Sequence, residues 1–215
     1  MKWHPEVLSP NALVLAQALG AIPILKNFYL AGGTALALQR GHRISLDFDF
    51  FSLKKTLDIP ERETLKKVLS TLKGFRIREE KEGTLHALAM GIEITFLHYP
   101  YPILRRPSKW NGLQIASLPD IGLMKIGAII GRGSRRDFRD LREICRIHNL
   151  ESLLKSAESK FASSEDFLFQ AAKALVYFDD AQSQPDPKLL KPEPWANIQL
   201  FFQNETIRIF KSLRL

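Results

Sequence analysis

The alternating run Leu-Asp-Phe-Asp-Phe-Phe that begins at Leu46 places the strongest constraint on how this chain folds. Alternate side chains of a β-strand point to opposite faces, so Leu46, Phe48 and Phe50 are expected to face a core. Asp47 and Asp49 then share the other face, within reach of one cation. Two carboxylates held this close repel each other, which raises a pKa or recruits a metal. Taken alone, the pair also fits a solvated strand surface.

A glycine pair precedes this strand, in Gly32-Gly33-Thr34. The apolar run 28–31 predicts a buried strand before it, and residues 34–39 predict a short helix after it. Glycines at such a turn let the backbone approach a phosphate, and the helix start offers free N–H groups and a partial positive charge. The threonine hydroxyl adds a hydrogen bond. A lone Gly-Gly-Thr equally fits a helix start selected for steric reasons.

The two motifs are more informative together, because twelve residues, 35–46, separate Thr34 from Asp47. That length allows one helix and a return, which would set phosphate donors beside the carboxylate pair. Glu93 offers a third carboxylate, as the one charge in the apolar run 92–96, where an unpaired carboxylate is costly. An outward-facing residue on a half-exposed strand is the alternative interpretation of Glu93.

The remaining pattern predicts an α+β chain with an α/β half and a helical half. Further strands are expected at 75–80, 84–90 and 92–98, with turns at Gly83 and Gly91. Helices are expected at 10–20, 61–73, 118–130, 137–148, 151–161, 165–178 and 193–213, with a break at 131–135 and a proline-rich loop at 183–194. The proline-containing segment 99–112 predicts a connector. We therefore expect a core at 1–112 and a helical region at 113–215 that completes the site and packs on the core.

The helical half carries a lysine that needs an explanation. Lys125 is the only charge between Asp120 and Arg132, so its ammonium must reach solvent or meet an anion. In the next helix, Asp137 and Asp140 lie three residues apart and can point together, either to orient the lysine or to form a structural ion pair. The same helix has a basic stripe that fits either an RNA backbone or a solvated surface, formed by Arg135, Arg139, Arg142 and Arg146.

The charge balance favours anionic partners such as nucleotides or RNA, since 31 basic and 23 acidic residues give a net charge of +8. One cysteine, Cys145, excludes a disulfide within the chain. No apolar run approaches the roughly 18 residues that cross a bilayer, and the N-terminus is too polar for a secretory signal. We therefore expect a cytoplasmic protein with no membrane partner.

The run from Gly32-Gly33-Thr34 through Arg43-x-Ser45-x-Asp47-x-Asp49, followed by a strand acid, resembles the DNA-polymerase-β-like nucleotidyltransferase superfamily. More narrowly, residues 10–150 resemble the AbiEii/AbiGii toxins of abortive-infection and toxin–antitoxin systems. Lys125 and the run Arg136-Asp137-Phe138-Arg139-Asp140 fit the helical signature of that family. The resemblance implies a polymerase-β-like fold, in which a mixed β-sheet flanked by helices precedes a helical C-terminal half.

The resemblance also implies an activity, the transfer of a nucleoside monophosphate from an NTP to a hydroxyl acceptor. The implied acceptor is RNA, with tRNA foremost, and the implied protein partner is a cognate antitoxin. Two magnesium ions are expected, with manganese as an alternative, on Asp47, Asp49 and Glu93. Lys125 and Asp137 complete the expected catalytic set. The nucleotide-binding residues implied by position are Gly32, Gly33, Thr34, Arg43, Ser45 and Lys125.

Two other functions fit the same residues. One is an antibiotic-type nucleotidyltransferase that modifies a small molecule, and the other is a module that binds nucleotide or RNA without chemistry. The presence of all three acids favours an enzyme over the binding module.

Overall fold

Residues 2–52, 54–164 and 166–213 are described by a computed structural model, which excludes the side chain of Leu213. They fall into two units, Met1–Ser117 and Leu118–Leu215, which are considered separately below.

The first unit is built on a mixed β-sheet. Its strands in chain order are Tyr29–Leu30 (β1), Asp47–Ser52 (β2), Arg76–Lys81 (β3), Thr84–Ala89 (β4), Ile92–His98 (β5), Ser108–Trp110 (β6) and Leu113–Ile115 (β7). They are arranged β3-β4-β5-β2-β1-β7-β6. The β2–β5 and β1–β7 pairs are parallel, and the other neighbours are antiparallel.

Aromatic packing fixes which face of the sheet is buried. The side chains of Phe48, Phe50, Ile94 and Phe96 are each at most 1% exposed. The Phe50 and Phe96 rings stack with centroids 5.2 Å apart. Because side chains alternate along a strand, this apolar face commits the other residues of β2 and β5 to the opposite face. Leu46 does not share the core face as expected: it precedes β2 and is 69% exposed.

Three helices accompany the sheet within the first unit, and local capping accounts for their ends. They are Pro10–Ala21 (α1), Gly32–Arg40 (α2) and Ile59–Leu69 (α3). Ser9 and Asp58 cap α1 and α3 with side-chain oxygens, and each helix then has a proline in its first turn. Gly41 ends α2 in the left-handed conformation, with a φ of 58°.

The second unit is helical. Its helices are Leu118–Arg132 (α4), Arg135–Cys145 (α5), Leu150–Lys160 (α6), Phe167–Ala174 (α7), Asp179–Gln182 (α8) and Trp195–Leu213 (α9). Phe138 of α5 is fully buried, with its ring centroid 5.1 Å from Phe178, 5.9 Å from Trp195 and 5.5 Å from Phe202. This aromatic cluster joins α5 to the C-terminal part of the unit.

A buried ion pair connects α4 and α6. Lys160 Nζ lies 3.1 Å from Asp120 Oδ1, and both side chains are at most 1% exposed. Asp120 lies in the first turn of α4 and Lys160 in the last turn of α6, so each charge also suits its helix dipole. Burial lowers the pKa of Lys160, and the Asp120 carboxylate opposes that change.

The predicted α+β class with a mixed sheet and a helical C-terminal half is confirmed. The segment 99–112 is not only a connector, because β6 lies within it and pairs with β7. The units divide after Ser117, whereas the expected boundary followed residue 112, since β7 pairs with β1 in the sheet. The helix expected at 165–178 is shorter than predicted, because α7 ends at Ala174 and the next helix, α8, begins only at Asp179. Glu165 lies outside the described residues.

The break expected at 131–135 is shorter than predicted, because α4 continues to Arg132 and α5 begins at Arg135. Among the helices in the described part of the chain, none combines the length and apolar character that a bilayer crossing requires.

Removing one member of the Lys160–Asp120 pair is expected to destabilise the protein. Lys160→Met leaves the buried Asp120 carboxylate without the lysine charge, so the free energy of unfolding should fall by about 3 kcal/mol. The matched control is Lys155→Met on the same helix, because Lys155 pairs with Glu151 and its side chain is 64% exposed. That control should change stability by less than about 0.5 kcal/mol. Urea denaturation at neutral pH measures both, and equal losses would contradict the prediction.

Candidate active site

Three of the expected acids lie on one face of the sheet. Asp47 pairs with Glu93, and Asp49 with Thr95, in the parallel register of β2 and β5. Paired residues of neighbouring strands point to the same side, so the two aspartates and Glu93 share the face opposite the buried phenylalanines. The structure therefore brings Glu93 beside Asp47, although 45 intervening residues separate them in the chain.

The glycine turn at the start of α2 lies against these carboxylates. Gly32 has a φ of +64°, and a Cβ atom at this position would lie 2.8 Å from Asp49 Oδ2. The conformation and the close approach both require glycine. Ala31 N donates a hydrogen bond to the Asp49 carbonyl at 3.0 Å, which anchors the turn to β2. The N-cap residue Ala31 supplies no side-chain hydrogen bond to this helix start. The first N–H groups of a helix favour an anion.

Thr34 joins the helix start to the residues before β2. Its hydroxyl donates to the Asp47 carbonyl and lies 2.7 Å from Ser45 Oγ. Thr34 and Ser45 are both about 1% exposed. These two expected nucleotide-binding side chains thus form an internal hydrogen-bond network that positions Asp47.

Arg43 lies beneath the second glycine of the turn. A Cβ atom at Gly33 would lie 1.9 Å from Arg43 Nη2, so the guanidinium occupies the space that the glycine leaves. Arg43 is 3% exposed, and its Nη1 donates to the Ile44 carbonyl at 3.0 Å. These contacts tie Arg43 to the segment before β2 and to the glycine turn. A role for Arg43 in nucleotide binding stays a prediction. Its positive charge also lies beside the uncapped helix start.

Two residues that the sequence did not indicate flank Glu93. His86 Nε2 lies 2.8 Å from Glu93 Oε2, and Arg78 Nη2 lies 3.4 Å from Glu93 Oε1. His86 pairs with Thr95 in the β4–β5 hairpin, two pairs along from the Leu88–Glu93 pair and therefore on the same face as Glu93. A two-residue turn at Met90-Gly91 sets this register, so the turn is the sequence signal that could have located His86.

The donor set suits a hard divalent cation. Carboxylate oxygens are the preferred ligands of magnesium. Glu93 Oε2 is shielded from solvent and has no well-aligned hydrogen bond among the described residues, despite the nearby His86 nitrogen. In the part of the chain that the structure describes, however, no three His, Cys, Asp or Glu side chains already converge as a metal cluster. The acids fit a divalent ion in residue type and face, and binding requires their side chains to adjust.

Lys125 has internal partners in the second unit. Its ammonium lies 2.8 Å from Asp137 Oδ1 and 2.7 Å from Asp140 Oδ2, and its side chain is 6% exposed. Arg132 Nε lies 2.8 Å from Asp137 Oδ2. Both aspartates therefore hold the lysine, as one of the two interpretations of their spacing expected. A role for Lys125 in phosphate binding and a catalytic role for Asp137 stay predictions.

The neighbouring charges of this cluster change the pKa of Asp137. Its side chain is fully buried, and burial alone would raise its pKa. The charges of Lys125 and Arg132 outweigh burial and lower the pKa of Asp137 to about 2. The carboxylate is therefore ionised at neutral pH.

The arginine stripe of α5 serves internal contacts as well. Arg139 forms a fork with the Asp186 carboxylate at 2.6 and 2.7 Å. Arg142 and Arg146 both reach Glu193, at 3.2 and 2.8 Å. Arg135 donates to main-chain carbonyls of residues 181 and 182, and its guanidinium carbon lies 4.7 Å from the Trp195 ring centroid. The stripe thus holds the loop between α8 and α9, which neither sequence interpretation anticipated.

Known proteins with this fold are nucleotidyltransferases. MenT4, a nucleotidyltransferase toxin of Mycobacterium tuberculosis H37Rv, has a TM-score of 0.57 at 14% identity and covers 93% of this chain and 82% of its own. The antibiotic-resistance factor ANT(2″)-Ia has a TM-score of 0.53 at 16% identity, covering 71% of this chain and 91% of its own. The chain thus has the nucleotidyltransferase fold.

The family model for the nucleotidyl transferase AbiEii toxin of type IV toxin–antitoxin systems matches residues 13–208. An uncharacterised protein of Aquifex aeolicus (strain VF5) is 36% identical over 194 residues, which cover 86% of this chain and 89% of the relative. The chain belongs to the AbiEii nucleotidyltransferase toxin family, which confirms the resemblance seen in the sequence. Nucleotidyltransferases of this family generally use divalent metal ions.

The contact between Gly33 and Arg43 predicts an unusual response to Gly33→Ala. Alanine normally stabilises a helix by about 1 kcal/mol relative to glycine, but here the methyl group must displace a buried guanidinium. We expect a loss of about 1–2 kcal/mol in unfolding free energy and weaker NTP binding. At Gly131 of α4 a Cβ atom meets nothing within 4 Å, so Gly131→Ala should be neutral or stabilising. Thermal unfolding and calorimetric titration with NTP compare the two variants. If Gly33→Ala changes neither the stability nor the NTP affinity, the contact between Gly33 and Arg43 is refuted.

The low pKa of Asp137 predicts acid sensitivity. A carboxylate with a depressed pKa in the folded state stabilises the protein above its unfolded pKa, near 4, and loses that contribution as the pH falls towards 2. The contribution is about 2 kcal/mol. Asp137→Asn should be less stable at neutral pH, and its stability should change less between pH 4 and pH 2. Asp166→Asn, which alters an exposed carboxylate, should retain the wild-type pH profile in urea titrations.

Proposed function

We propose that this protein transfers a nucleoside monophosphate from an NTP to the 3′ hydroxyl of RNA, with tRNA as the leading acceptor. Magnesium is the proposed ion, with manganese as a substitute, and Asp47, Asp49 and Glu93 are the proposed ligands. The biological role we propose is that of the toxin in a toxin–antitoxin or abortive-infection pair, opposed by a cognate antitoxin in the cytoplasm.

One observation carries the catalytic part of this proposal. The parallel register sets Asp47 opposite Glu93, and the Gly32 turn closes against Asp49 on the same strand. An uncapped helix start and a set of carboxylates thus lie side by side. The first favours phosphate and the second favours divalent cations, and a metal-bound triphosphate needs both.

Each residue then has a defined task. The free N–H groups at the start of α2 bind the β- and γ-phosphates, and the buried Arg43 charge strengthens that attraction. Thr34 and Ser45 hold the glycine turn and β2 in register. When bound, the magnesium ions neutralise the triphosphate and favour the acceptor oxygen as the nucleophile. The acceptor oxygen bonds to the α-phosphorus, pyrophosphate leaves, and the hydroxyl proton passes to solvent.

RNA is favoured as the acceptor by charge and by family. The net charge of +8 favours a polyanion. The family is one of nucleotidyltransferase toxins, and MenT4, which shares the fold, is such a toxin. ANT(2″)-Ia, an antibiotic-resistance factor, also shares the fold and makes a small-molecule acceptor the competing outcome of the test.

The experiment incubates the protein with each labelled NTP, magnesium and total tRNA. Asp49→Asn should reduce label transfer on the order of a hundredfold or more, because it removes a carboxylate proposed to hold the divalent ion that the triphosphate needs. Unfolding should stay cooperative, since removing one of two like charges relieves repulsion. Glu82→Gln, an exposed carboxylate in the β3–β4 turn, should transfer label normally.

The possible outcomes separate the candidate functions. The proposal is supported if wild type and Glu82→Gln label RNA and Asp49→Asn does not. If an added aminoglycoside is labelled and RNA is not, the acceptor is a small molecule and not RNA. Full activity in a folded Asp49→Asn variant would refute the site.

A further inference from the structure

A β-bulge turns one arginine of the β3–β4 hairpin towards the acids. The register shifts between Ile77 and Glu79, which leaves Arg78 as an extra residue beside the Glu79–His86 pair. Ile77 pairs with Ala87 on the buried face and Glu79 pairs with His86 on the face of Glu93, so the extra residue places Arg78 and Glu79 next to each other opposite His86. Arg78 reaches Glu93, with Nη2 3.4 Å from Oε1.

The contact leaves most of the guanidinium unused. Among the described residues, Arg78 forms its ion pair with Glu93 through one nitrogen, and its side chain is 42% exposed. A guanidinium has five N–H donors in a planar fork, which matches phosphate oxygens in a two-point contact. An exposed ion pair of this length contributes little to stability. The small contribution of the Arg78–Glu93 ion pair to stability therefore does not explain why an arginine lies at this position.

The acidic residues next to Arg78 have other partners. Glu79 pairs with Lys81 at 2.9 Å. Glu80 pairs with Arg62 at 3.0 Å and Lys66 at 2.8 Å, on the face where α3 lies. Neither of these two glutamates of β3 therefore forms an ion pair with Arg78.

The strand order separates Arg78 from the glycine turn. β2 and β5 carry the acids, the turn follows β1 on one side of them, and β3 lies on the other side beyond β4. Neighbouring strands are about 4.8 Å apart, so β3 lies roughly 10 Å from β5 and farther from α2. A triphosphate bound at the turn therefore lies on the far side of the acids from β3. Arg78 instead borders the place from which an acceptor approaches Glu93.

We propose that Arg78 binds a backbone phosphate of the RNA acceptor, close to the nucleotide whose hydroxyl reacts; this rests on the function proposed above. The guanidinium exchanges its single contact with Glu93 for a two-point contact with the phosphodiester. The same charge repels a polycationic antibiotic, so it also selects against that class of acceptor.

The experiment compares Arg78→Ala with Lys67→Ala, which removes one exposed positive charge from α3. Fluorescence anisotropy measures the affinity for labelled total tRNA over a salt series without NTP, and steady-state kinetics gives KM for tRNA and for NTP. Arg78→Ala should bind tRNA about tenfold more weakly. Its salt dependence should lose about 0.7 from the slope of log affinity against log salt, because one phosphate contact is lost.

The other variants complete the design. Arg78→Lys should keep the salt slope and lose part of the affinity, since lysine supplies the charge without the fork. Lys67→Ala should match wild type in slope and affinity, and KM for NTP and the unfolding temperature should be unchanged throughout. If Arg78→Ala matches Lys67→Ala, or loses NTP affinity instead, the role of Arg78 is refuted while RNA labelling by wild type still stands. If wild type neither binds nor labels RNA, both proposals fall.

Discussion

The parallel pairing of β2 with β5 is the constraint on which the candidate site depends. Phe48 and Phe50 of β2 and Phe96 of β5 are buried on one face of the sheet. Because side chains alternate along a strand, burying that face places Asp47, Asp49 and Glu93 on the opposite face of the sheet. A shift of one residue in register would bury the carboxylates and expose the aromatic rings. The same hydrophobic packing that stabilises the sheet therefore also gathers the acids and sets the glycine turn against them.

Charges in the helical unit are satisfied internally, and this limits which of them can serve a partner. Lys125 lies between two aspartates of α5, and Arg139 is tied to Asp186, far along the chain. A buried charge without a partner is costly, so such residues find counter-charges during folding. The overall charge of +8 consequently says little about where an anion binds. In the first unit, Arg78 is the contrasting case, because its contact is single and exposed.

Neither the fold nor the family determines which molecule accepts the nucleotide, and the reason is physical. In the proposed site, the turn at Gly32 and the acids of β2 and β5 serve what every nucleotidyl transfer shares, the triphosphate and its metal. MenT4, a toxin, and ANT(2″)-Ia, an antibiotic-resistance factor, both share the fold. Specificity for the acceptor must come from surfaces beside the acids, where the fold imposes least. The β3–β4 hairpin is one such surface, and it carries the bulge at Arg78.

The sequence by itself determined the local features: the alternation that makes β2 a half-buried strand and the glycine turn before α2. These follow from periodicity and backbone freedom within a few residues. The motifs between Gly32 and Asp140 carry the resemblance to the family. Tertiary structure alone added β6 and β7 to the sheet, exposed Leu46 and placed His86 and Arg78 beside Glu93. It also gave the α5 arginines their partners. Each of these depends on pairing between strands or on contacts between distant residues, which no local pattern specifies.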